Sequence, residues 1–383
     1  MRSKIVNGKI LAEDEILIGK ALYIEKGVIA QISDQELPYD TLIDAKDCYV
    51  SAGFIDLHCH GALGFDFSDG TAEAVITAAN YHCKHGTTTI FPTTLSSSYD
   101  QIEASLKAIR EAKESQALLP NVPGAHLEGP YFSRKQCGAQ NPDFITPPLP
   151  QEYMRLLDTY GDVIRRWSFA PELPGTDAFL QALNRYGVIA SAGHSDAVYH
   201  DMLAAYASGL RLITHIYSCT STITRENGFR RLGVIEFSYL FDDVVVEAIA
   251  DGCHIPKELF ALLFKIKGVD GICLVSDAIN CCGVDTKVSS LGGVPCKIQN
   301  GVAYLMDGNA FAGSIATADR LVRFCVKDVG LDVREAVKMI TVNPAKVMGL
   351  MCKGKIKVGY DADIVIFDED IHIEKVLVGG QVV

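Results

Sequence analysis

The sequence predicts an α/β protein, namely a (β/α)8 barrel of the TIM type with a small β-sandwich domain formed from both termini. Two patterns predict this architecture. The middle of the chain alternates eight short apolar runs with helical patterns, whereas both ends are rich in β-branched residues and poor in helical periodicity. The predicted domains are residues 1–52 plus 353–383 for the β-sandwich and residues 53–352 for the barrel.

The two terminal segments read as short strands. The first fifty residues contain "KIVNGKIL", "ILIGKALYIEKGVIAQIS" and "TLIDAKDCYVS", with turns predicted at Gly8, Gly19 and Gly27. The last thirty, "GKIKVGYDADIVIFDEDIHIEKVLVGGQVV", alternate in the same way. Since each end alone offers few strands, we expect the two ends to form one β domain.

The central segment supplies the predicted barrel. Its strand-like runs are "GFIDLHCHG", "GTTTIFPTTL", "VPGAHLEGPYF", "VIRRWSFAPEL", "GVIASAGHSDA", "LRLITHIYSC", "VVVEAIADGCHI" and "GICLVSDAI". Helical patterns such as "SYDQIEASLKAIREAKES" and "GTDAFLQALNRYG" lie between them. The later stretch "SLGGVPCKIQNGVAYL" instead predicts a hairpin inserted before the last helices.

Composition excludes several classes of function. The chain of 383 residues has a formal net charge of -12 and no basic run, which argues against a nucleic-acid partner. No apolar stretch approaches the ~20 residues of a membrane helix, so we expect no membrane partner. The twelve cysteines are scattered and form no CxxC pair, which predicts free thiols and a cytoplasmic location.

Residues able to bind a metal follow the predicted strands at one end of the barrel. They are His58, His60, Glu128, His194, His215 and Asp277. Because residues i and i+2 of a strand share a face, His58 and His60 both point toward the barrel axis. Nitrogen and oxygen ligands of this kind suit a divalent metal, one or two ions of Zn, Fe or Mn.

Each of these residues has a structural alternative. A lone histidine at a strand end is commonly a hydrogen-bonded structural residue, Glu128 could cap the turn before Pro130, and Asp277 could cap a following helix. The occurrence of all six at five strand ends favours a metal site. His126, two residues before Glu128, is predicted to support the site from behind, whereas His82, His85, His200 and His372 are predicted to have no special role.

The chain resembles the amidohydrolase superfamily and, within it, the N-acetylglucosamine-6-phosphate deacetylase family. The resemblance rests on blocks in a fixed order: "GFIDLHCHG", "HLEGPYFS", "SAGHSDA", "THIYSCTS", "IADGCHI", "LVSDAI", "AFAGSIATADR", "VNPAKVMGL" and "GKIKVGYDADIVIFD". It implies that Glu128, His194 and His215 hold a principal metal and that His58 and His60 add a second metal bridged by Glu128. Asp277 matches the family's catalytic aspartate, which moves a proton from water to the departing amine.

The substrate end departs from the family pattern. Gln140, in "GAQNP", stands where the family shows a histidine, and Ser218 and Cys219 replace an Asn-Ala pair at the sugar phosphate. Arg225 matches the phosphate-binding arginine and His254 a histidine at a sugar hydroxyl. The resemblance thus implies substrate contacts at Ala139, Gln140, Ser218, Cys219, Arg225, Asp251, Gly252, Cys253, His254, Phe311, Ala312 and Gly313.

The expected reaction is metal-dependent hydrolysis of N-acetylglucosamine 6-phosphate to glucosamine 6-phosphate and acetate, by a homodimer. The departures leave open a related amino-sugar phosphate, such as the galactosamine epimer, or another N-acyl compound. A cyclic-amide hydrolase, dipeptidase or deaminase remains an alternative, although many of those bridge their metals with a carboxylated lysine rather than a glutamate. A non-catalytic barrel scaffold is the alternative outside enzymes, and we would expect such a scaffold to have lost ligands.

Overall fold

Eight parallel strands form the central sheet of the computed structural model, which describes residues 2–13, 15–308 and 310–383. The order of the strands in the sheet follows their order in the chain. They are Phe54–Cys59, Thr87–Thr94, Ala125–Glu128, Ile164–Phe169, Ile189–Ala192, Leu212–Ile213, Val245–Ala248 and Ile272–Leu274. All eight lie within the predicted runs, which confirms the predicted barrel.

Backbone hydrogen bonds between the first strand and the segment after the last strand close the barrel. The Asp277 N–H donates to the His58 carbonyl at 2.8 Å, and the His60 N–H donates to the Ala278 carbonyl at 2.8 Å. Closure brings the carboxyl ends of the first and eighth strands side by side. Site residues that are more than 200 positions apart in sequence therefore become neighbours.

Ten α-helices lie within the residues that the structure describes and accompany the strands. They are α1 (Ala72–Lys84), α2 (Tyr99–Lys113), α3 (Pro150–Tyr160), α4 (Thr176–Tyr186), α5 (Tyr199–Ala207), α6 (Val234–Leu240), α7 (Lys257–Lys267), α8 (Ala318–Arg323), α9 (Val333–Ile340) and α10 (Val342–Val347). A π-helix, Phe324–Val329, continues α8, and short 3-10 helices occur at Phe67–Asp69, Arg134–Gln136, Pro142–Phe144 and Val269–Gly271. No helix within these described ranges has both the length and the apolar character needed to cross a membrane.

Helix α2 shows how the local sequence sets these elements. The Ser98 side chain accepts a hydrogen bond from the Gln101 N–H and so satisfies one free donor at the start of the helix. Ile102, Leu106 and Ile109 recur at helical spacing and are buried against the barrel. Lys107, Glu111 and Lys113 are exposed on the opposite side, so one side of the helix belongs to the core.

The strands near the two chain ends form a separate β unit. One sheet contains Arg2–Val6, Ala21–Glu25, Val28–Ser33 and Thr41–Asp44, and a second contains Lys9–Leu11, Ile16–Leu17, Tyr49–Ala52, Ile364–Phe367, Ile373–Val378 and Gln381–Val382. Ile364–Phe367 pairs antiparallel with Tyr49–Ala52, which joins the two ends of the chain. The unit has its own apolar cluster, which includes Ile5, Val50 and Leu377. This confirms the β domain built from both termini, whereas the boundaries at residues 52 and 353 stay a prediction.

Insertions near the carboxyl ends of the strands complete the fold. The predicted hairpin is part of a four-stranded antiparallel sheet of Val288–Leu291, Val294–Gln299, Val302–Leu305 and Phe311–Ser314. A second hairpin of Thr224–Glu226 and Phe229–Arg231 follows the sixth barrel strand and is exposed. A third pair, Gly61–Ala62 and Phe65–Asp66, follows the first strand.

Candidate metal centre and cavity

The carboxyl ends of five barrel strands bring the six predicted metal-binding residues together. His58 lies in the first strand and His60 directly follows it, and Glu128 is the last residue of the third strand. His194, His215 and Asp277 stand two or three residues beyond the fifth, sixth and eighth strands. These three have positive φ angles of 47°, 25° and 46°. Such angles are uncommon for residues other than glycine and cost backbone energy, and they are concentrated at functional sites.

The two histidines of the first strand and Asp277 form one close group. The Nε2 atoms of His58 and His60 are 3.2 Å apart. Oδ1 of Asp277 lies 3.3 Å from Nε2 of His58 and 3.2 Å from Nε2 of His60. The three side chains therefore present one donor atom each to a common point.

A second group meets the first at Glu128. Its Oε1 lies 2.9 Å from Nε2 of His215 and 3.2 Å from Nε2 of His194, and these two nitrogens are 3.2 Å apart. The same carboxylate lies 3.3 Å from Nε2 of His58 through Oε1 and 3.3 Å from Nε2 of His60 through Oε2. Glu128 thus stands between the two groups.

These separations fit metal coordination. Ligands at about 2.0–2.1 Å from a tetrahedral ion lie about 3.3–3.4 Å from one another, which is the edge of the tetrahedron. The donor atoms of both groups approach this spacing.

The outer ring nitrogens of three histidines are engaged in a way that leaves Nε2 free for a metal. Nδ1 of His58 contacts Glu247 Oε2 at 3.3 Å, Nδ1 of His60 contacts the Thr93 carbonyl at 3.2 Å, and Nδ1 of His194 contacts the Gln136 carbonyl at 2.9 Å. Because these oxygens only accept hydrogen bonds, each Nδ1 carries the proton. Nδ1 of His215 is buried without a partner among the described residues.

The electrostatics of the site favour positive charge. Burial opposes protonation of His58, but the adjacent carboxylates of Glu128 and Asp277 outweigh burial and raise its pKa to about 9. Burial likewise favours a neutral Asp277, yet His58 and His60 lower its pKa to about 2. Carboxylates that stay ionised among histidines that attract protons are suited to a divalent cation.

A cavity of about 190 Å³ opens on this centre. Its walls bring together five of the six residues of the metal-binding group, all but His58, and eight of the predicted substrate residues. These eight are Ala139, Gln140, Ser218, Cys219, His254, Phe311, Ala312 and Gly313. Gly138, Leu291 and Ala310 also line it and were not predicted. Within the described ranges, no lysine or arginine lines this cavity.

The other four predicted substrate residues lie off the cavity wall. Asp251 holds His254, because its Oδ2 lies 2.8 Å from His254 Nδ1 and its Oδ1 accepts from the N–H groups of Cys253 and His254. Gly252 follows Asp251 in the same turn, with a positive φ of 79°. Arg225 lies on the exposed hairpin.

Both ends of the Gln140 side-chain amide form hydrogen bonds within the protein. Its amide nitrogen donates to Oε2 of Glu128 at 2.5 Å, and its carbonyl oxygen accepts from the Ser96 N–H at 2.8 Å. The side chain is 5% exposed. It therefore holds Glu128 as well as lining the cavity.

His126 lies behind the centre, as predicted. Its Nδ1 and Nε2 contact Thr93 Oγ1 at 3.2 Å and Ser168 Oγ at 2.6 Å, and its ring packs edge-on against His58. Burial and the nearby Arg166 hold its pKa well below the ordinary value. It thus packs against His58 as a neutral ring.

The fold is a barrel with a terminal β unit, and a group of histidines and carboxylates lies at its strand ends. This combination is typical of metal-dependent hydrolases. The chain belongs to the amidohydrolase family, whose model matches residues 49–383. It is thus an enzyme that hydrolyses carbon–nitrogen bonds.

The similar proteins are more specific. N-acetylglucosamine-6-phosphate deacetylase of Lysinibacillus sphaericus is 31% identical over 364 residues, which cover 95% of this chain and 91% of that protein. The crystal structure of the Pasteurella multocida deacetylase of the same name superposes with a TM-score of 0.93 at 28% identity, over 100% of both chains. A variant of the Mycobacterium smegmatis enzyme in complex with N-acetyl-D-glucosamine-6-phosphate gives a TM-score of 0.90 at 28% identity, over 100% of this chain and 98% of that one.

Proposed function

We propose that the protein hydrolyses the N-acetyl group of N-acetylglucosamine 6-phosphate and releases glucosamine 6-phosphate and acetate. The observation that carries this proposal is the arrangement of Glu128 between two groups of metal-binding side chains, with Asp277 beside it at a cavity of about 190 Å³. The similarity to deacetylases over nearly the whole chain supports the choice of substrate.

We assign the metal to His58, His60, Glu128, His194 and His215, as one or two ions of Zn, Fe or Mn. Imidazole nitrogens and carboxylate oxygens are ligands that these ions share. When bound, such an ion lowers the pKa of water and polarises the acetyl carbonyl. The protein supplies ligands with fixed ring orientations and walls that shape the cavity.

Asp277 is the proposed proton carrier. Its side chain is 13% exposed and, since its pKa lies near 2, it is ionised at neutral pH. The carboxylate accepts a proton from the attacking water as the carbon–oxygen bond forms. It then delivers that proton to the amide nitrogen as the carbon–nitrogen bond breaks, because the amine must be protonated to leave.

The sugar is proposed to bind between His254 and the Ser218–Cys219 segment. His254 donates Nδ1–H to Asp251, which leaves Nε2 to accept from a sugar hydroxyl, and its ring packs against Phe311 with centroids 4.8 Å apart. We also propose a homodimer in which a second copy supplies a cation to the phosphate, since no lysine or arginine lines the cavity within the described residues. A cytoplasmic location stays a prediction.

A related N-acyl substrate is the second candidate. Three wall residues, Gln140, Ser218 and Cys219, depart from the family pattern, and the Gln140 amide is already bonded to Glu128. An amide in this place cannot carry the charge of an imidazolium. The departures concern the acyl and phosphate ends and leave the five proposed metal ligands and Asp277 unchanged.

A comparison of substrates separates the two candidates. The metal-loaded protein is incubated with N-acetylglucosamine 6-phosphate, its galactosamine epimer and unphosphorylated N-acetylglucosamine, and free amine and acetate are measured. We expect kcat/KM above about 10⁴ M⁻¹s⁻¹ for the first compound, an ordinary value for an enzyme on its own substrate. A higher value for another compound would replace the proposed substrate.

A further inference from the structure

A fully buried ion pair lies inside the barrel beneath the metal centre. Arg166 of the fourth strand and Glu247 of the seventh strand are joined through Nη1 and Oε1, and both side chains are 0% exposed. Charged side chains are rarely buried so completely, because removing each ion from water costs on the order of several kcal/mol. The proton transfer assigned to Asp277 uses neither residue.

All three nitrogens of the Arg166 guanidinium donate hydrogen bonds. Nη1 also donates to the Leu57 carbonyl at 3.1 Å, Nη2 donates to Thr214 Oγ1 at 3.1 Å, and Nε donates to Ser191 Oγ at 3.2 Å. Leu57 and Ser191 lie in the first and fifth strands, and Thr214 directly follows the sixth. Arg166 is thus fixed by the barrel wall, and it fixes one oxygen of Glu247 in turn.

The other oxygen of Glu247 reaches two of the metal-binding residues. Oε2 lies 3.3 Å from Nδ1 of His58 and accepts from the backbone N–H of His215 at 3.2 Å. A carboxylate only accepts hydrogen bonds, so Nδ1 of His58 must carry a proton. The lone pair of Nε2 then points toward His60 and Glu128.

His58 differs from the other histidines in this contact. Nδ1 of His60 and Nδ1 of His194 meet neutral backbone carbonyls. A charged acceptor makes an imidazole a stronger metal ligand than a neutral acceptor does. Among the described residues, the one buried carboxylate–arginine pair therefore contacts the ring of His58 and not the rings of His60 or His194.

We propose that Glu247, held by Arg166, is a positioning residue that keeps His58 in the Nδ1–H form and sets how tightly the centre binds metal through His58 and His60. The proposal rests on the metal-dependent function proposed above. It adds a residue outside the set of metal ligands that controls the metal affinity of the site.

The substitution Glu247→Gln tests the proposal directly. Because Arg166 can only donate, the amide oxygen of the variant faces Arg166 and its NH₂ group faces His58. That group donates to Nδ1 and favours the Nε2–H form, which has no lone pair for a metal. We expect metal affinity to fall about 10–100-fold, as is typical when such a partner is changed.

Metal content and a competitive chelator titration with Zn²⁺ provide the readout, both without substrate. Asp363→Asn is the matched control, because Asp363 is also buried and paired, with Lys353 Nζ and Asn121 Nδ2, but in the terminal β unit. It should keep wild-type metal affinity. In a His58→Gln background, Glu247→Gln should have no further effect, since it acts through His58.

A double substitution, Arg166→Met with Glu247→Met, guards against a variant that fails to fold. It removes both charges and fills the space with flexible apolar side chains, an exchange that buried ion pairs often tolerate. We expect it to fold and to show the same loss of affinity. Folded Glu247 variants that bind Zn²⁺ like the wild type would overturn the proposal.

If no Glu247 variant folds, a ¹H–¹⁵N spectrum of the histidine rings in the zinc-loaded wild type tests whether Nδ1 of His58 carries a proton. The spectrum of the His58→Gln variant identifies the signals of His58. A protonated Nδ1 on His58 is expected, and a bare Nδ1 overturns the proposal. A protein that binds Zn²⁺ in this way but cleaves no N-acetylglucosamine 6-phosphate would refute the proposed function and leave this inference standing.

Discussion

Gln140 donates its side-chain amide to Oε2 of Glu128 at 2.5 Å while its carbonyl oxygen accepts from the Ser96 N–H at 2.8 Å. One amide thus connects the loop after the second strand to the carboxylate that the two metal-binding groups share. Gln140, which is predicted to depart from the family pattern, therefore supports the proposed metal centre.

Replacing Gln140 with leucine should lower stability and turnover together. The buried Ser96 N–H would lose its acceptor and Glu128 would lose a donor, which costs about 1–3 kcal/mol for an unsatisfied buried group. Urea unfolding and acetate release measure the two effects. Gln31→Leu, at an exposed position in Val28–Ser33, should change stability by less than about 0.5 kcal/mol. Equal stability of the two variants would show that the Gln140 contacts contribute little.

Asp277→Asn should keep the metal at Glu128, His194 and His215 and lose turnover. The amide cannot accept the proton that the reaction moves, and removal of a general base typically costs about 10²–10⁴ in rate. Elemental analysis and acetate release are measured on the same preparation. A variant with metal bound and a rate near that of the wild type would remove Asp277 from its proposed role.

Asp251→Asn should raise KM for the sugar phosphate more than it lowers kcat. Asp251 does not line the cavity, but it holds His254 through Nδ1 at 2.8 Å. Loss of a hydrogen bond to a charged group corresponds to about 1.5–3 kcal/mol, or about 10–100-fold in KM. In a His254→Ala background the same substitution should add little. An additive effect would mean that Asp251 acts independently of His254.

His82 should make the fold sensitive to acid. It is fully buried in α1, and burial lowers its pKa from 6.5 to about 4. The unfolded chain therefore binds the proton first, so stability is complete above about pH 6.5 and falls as pH drops toward 4, by about 3 kcal/mol for this residue.

His82→Gln should reduce this dependence, because glutamine does not titrate in this range. Urea unfolding of both proteins at pH 7 and pH 4.5 gives the difference, and the metal ligands are the same in both. Identical pH profiles would show that His82 does not control the acid response.

Much of the fold followed from local patterns. Eight apolar runs and two β-rich ends predicted the barrel and the β unit, and the period-2 spacing of His58 and His60 placed both on the inner face. Glu128, His194, His215 and Asp277 were predicted because the carboxyl ends of parallel strands share one edge, and the structure brings their donor atoms within about 3.3 Å of a neighbour.

Other features depended on contacts that no local pattern encodes. Arg165 and Arg166 read as two charges in one strand, and alternation alone indicates that one of them faces inward. The partner of Arg166 is Glu247, 81 residues away, so no local signal revealed the ion pair. Leu291 and Ala310 reach the cavity wall through an insertion whose placement is tertiary. Arg225 lies on an exposed hairpin and not on the cavity wall, and its position likewise depends on how an inserted segment packs on the barrel.

Metal removal and restoration test the central claim most directly. The protein is stripped with a chelator, and acetate release from N-acetylglucosamine 6-phosphate is measured before and after Zn²⁺, Fe²⁺ or Mn²⁺ is returned. We expect the stripped protein to be inactive and at least one of these ions to restore turnover, but not in a His194→Ala, His215→Ala double variant. Full turnover by the stripped protein would contradict the assignment of these residues to a catalytic metal centre.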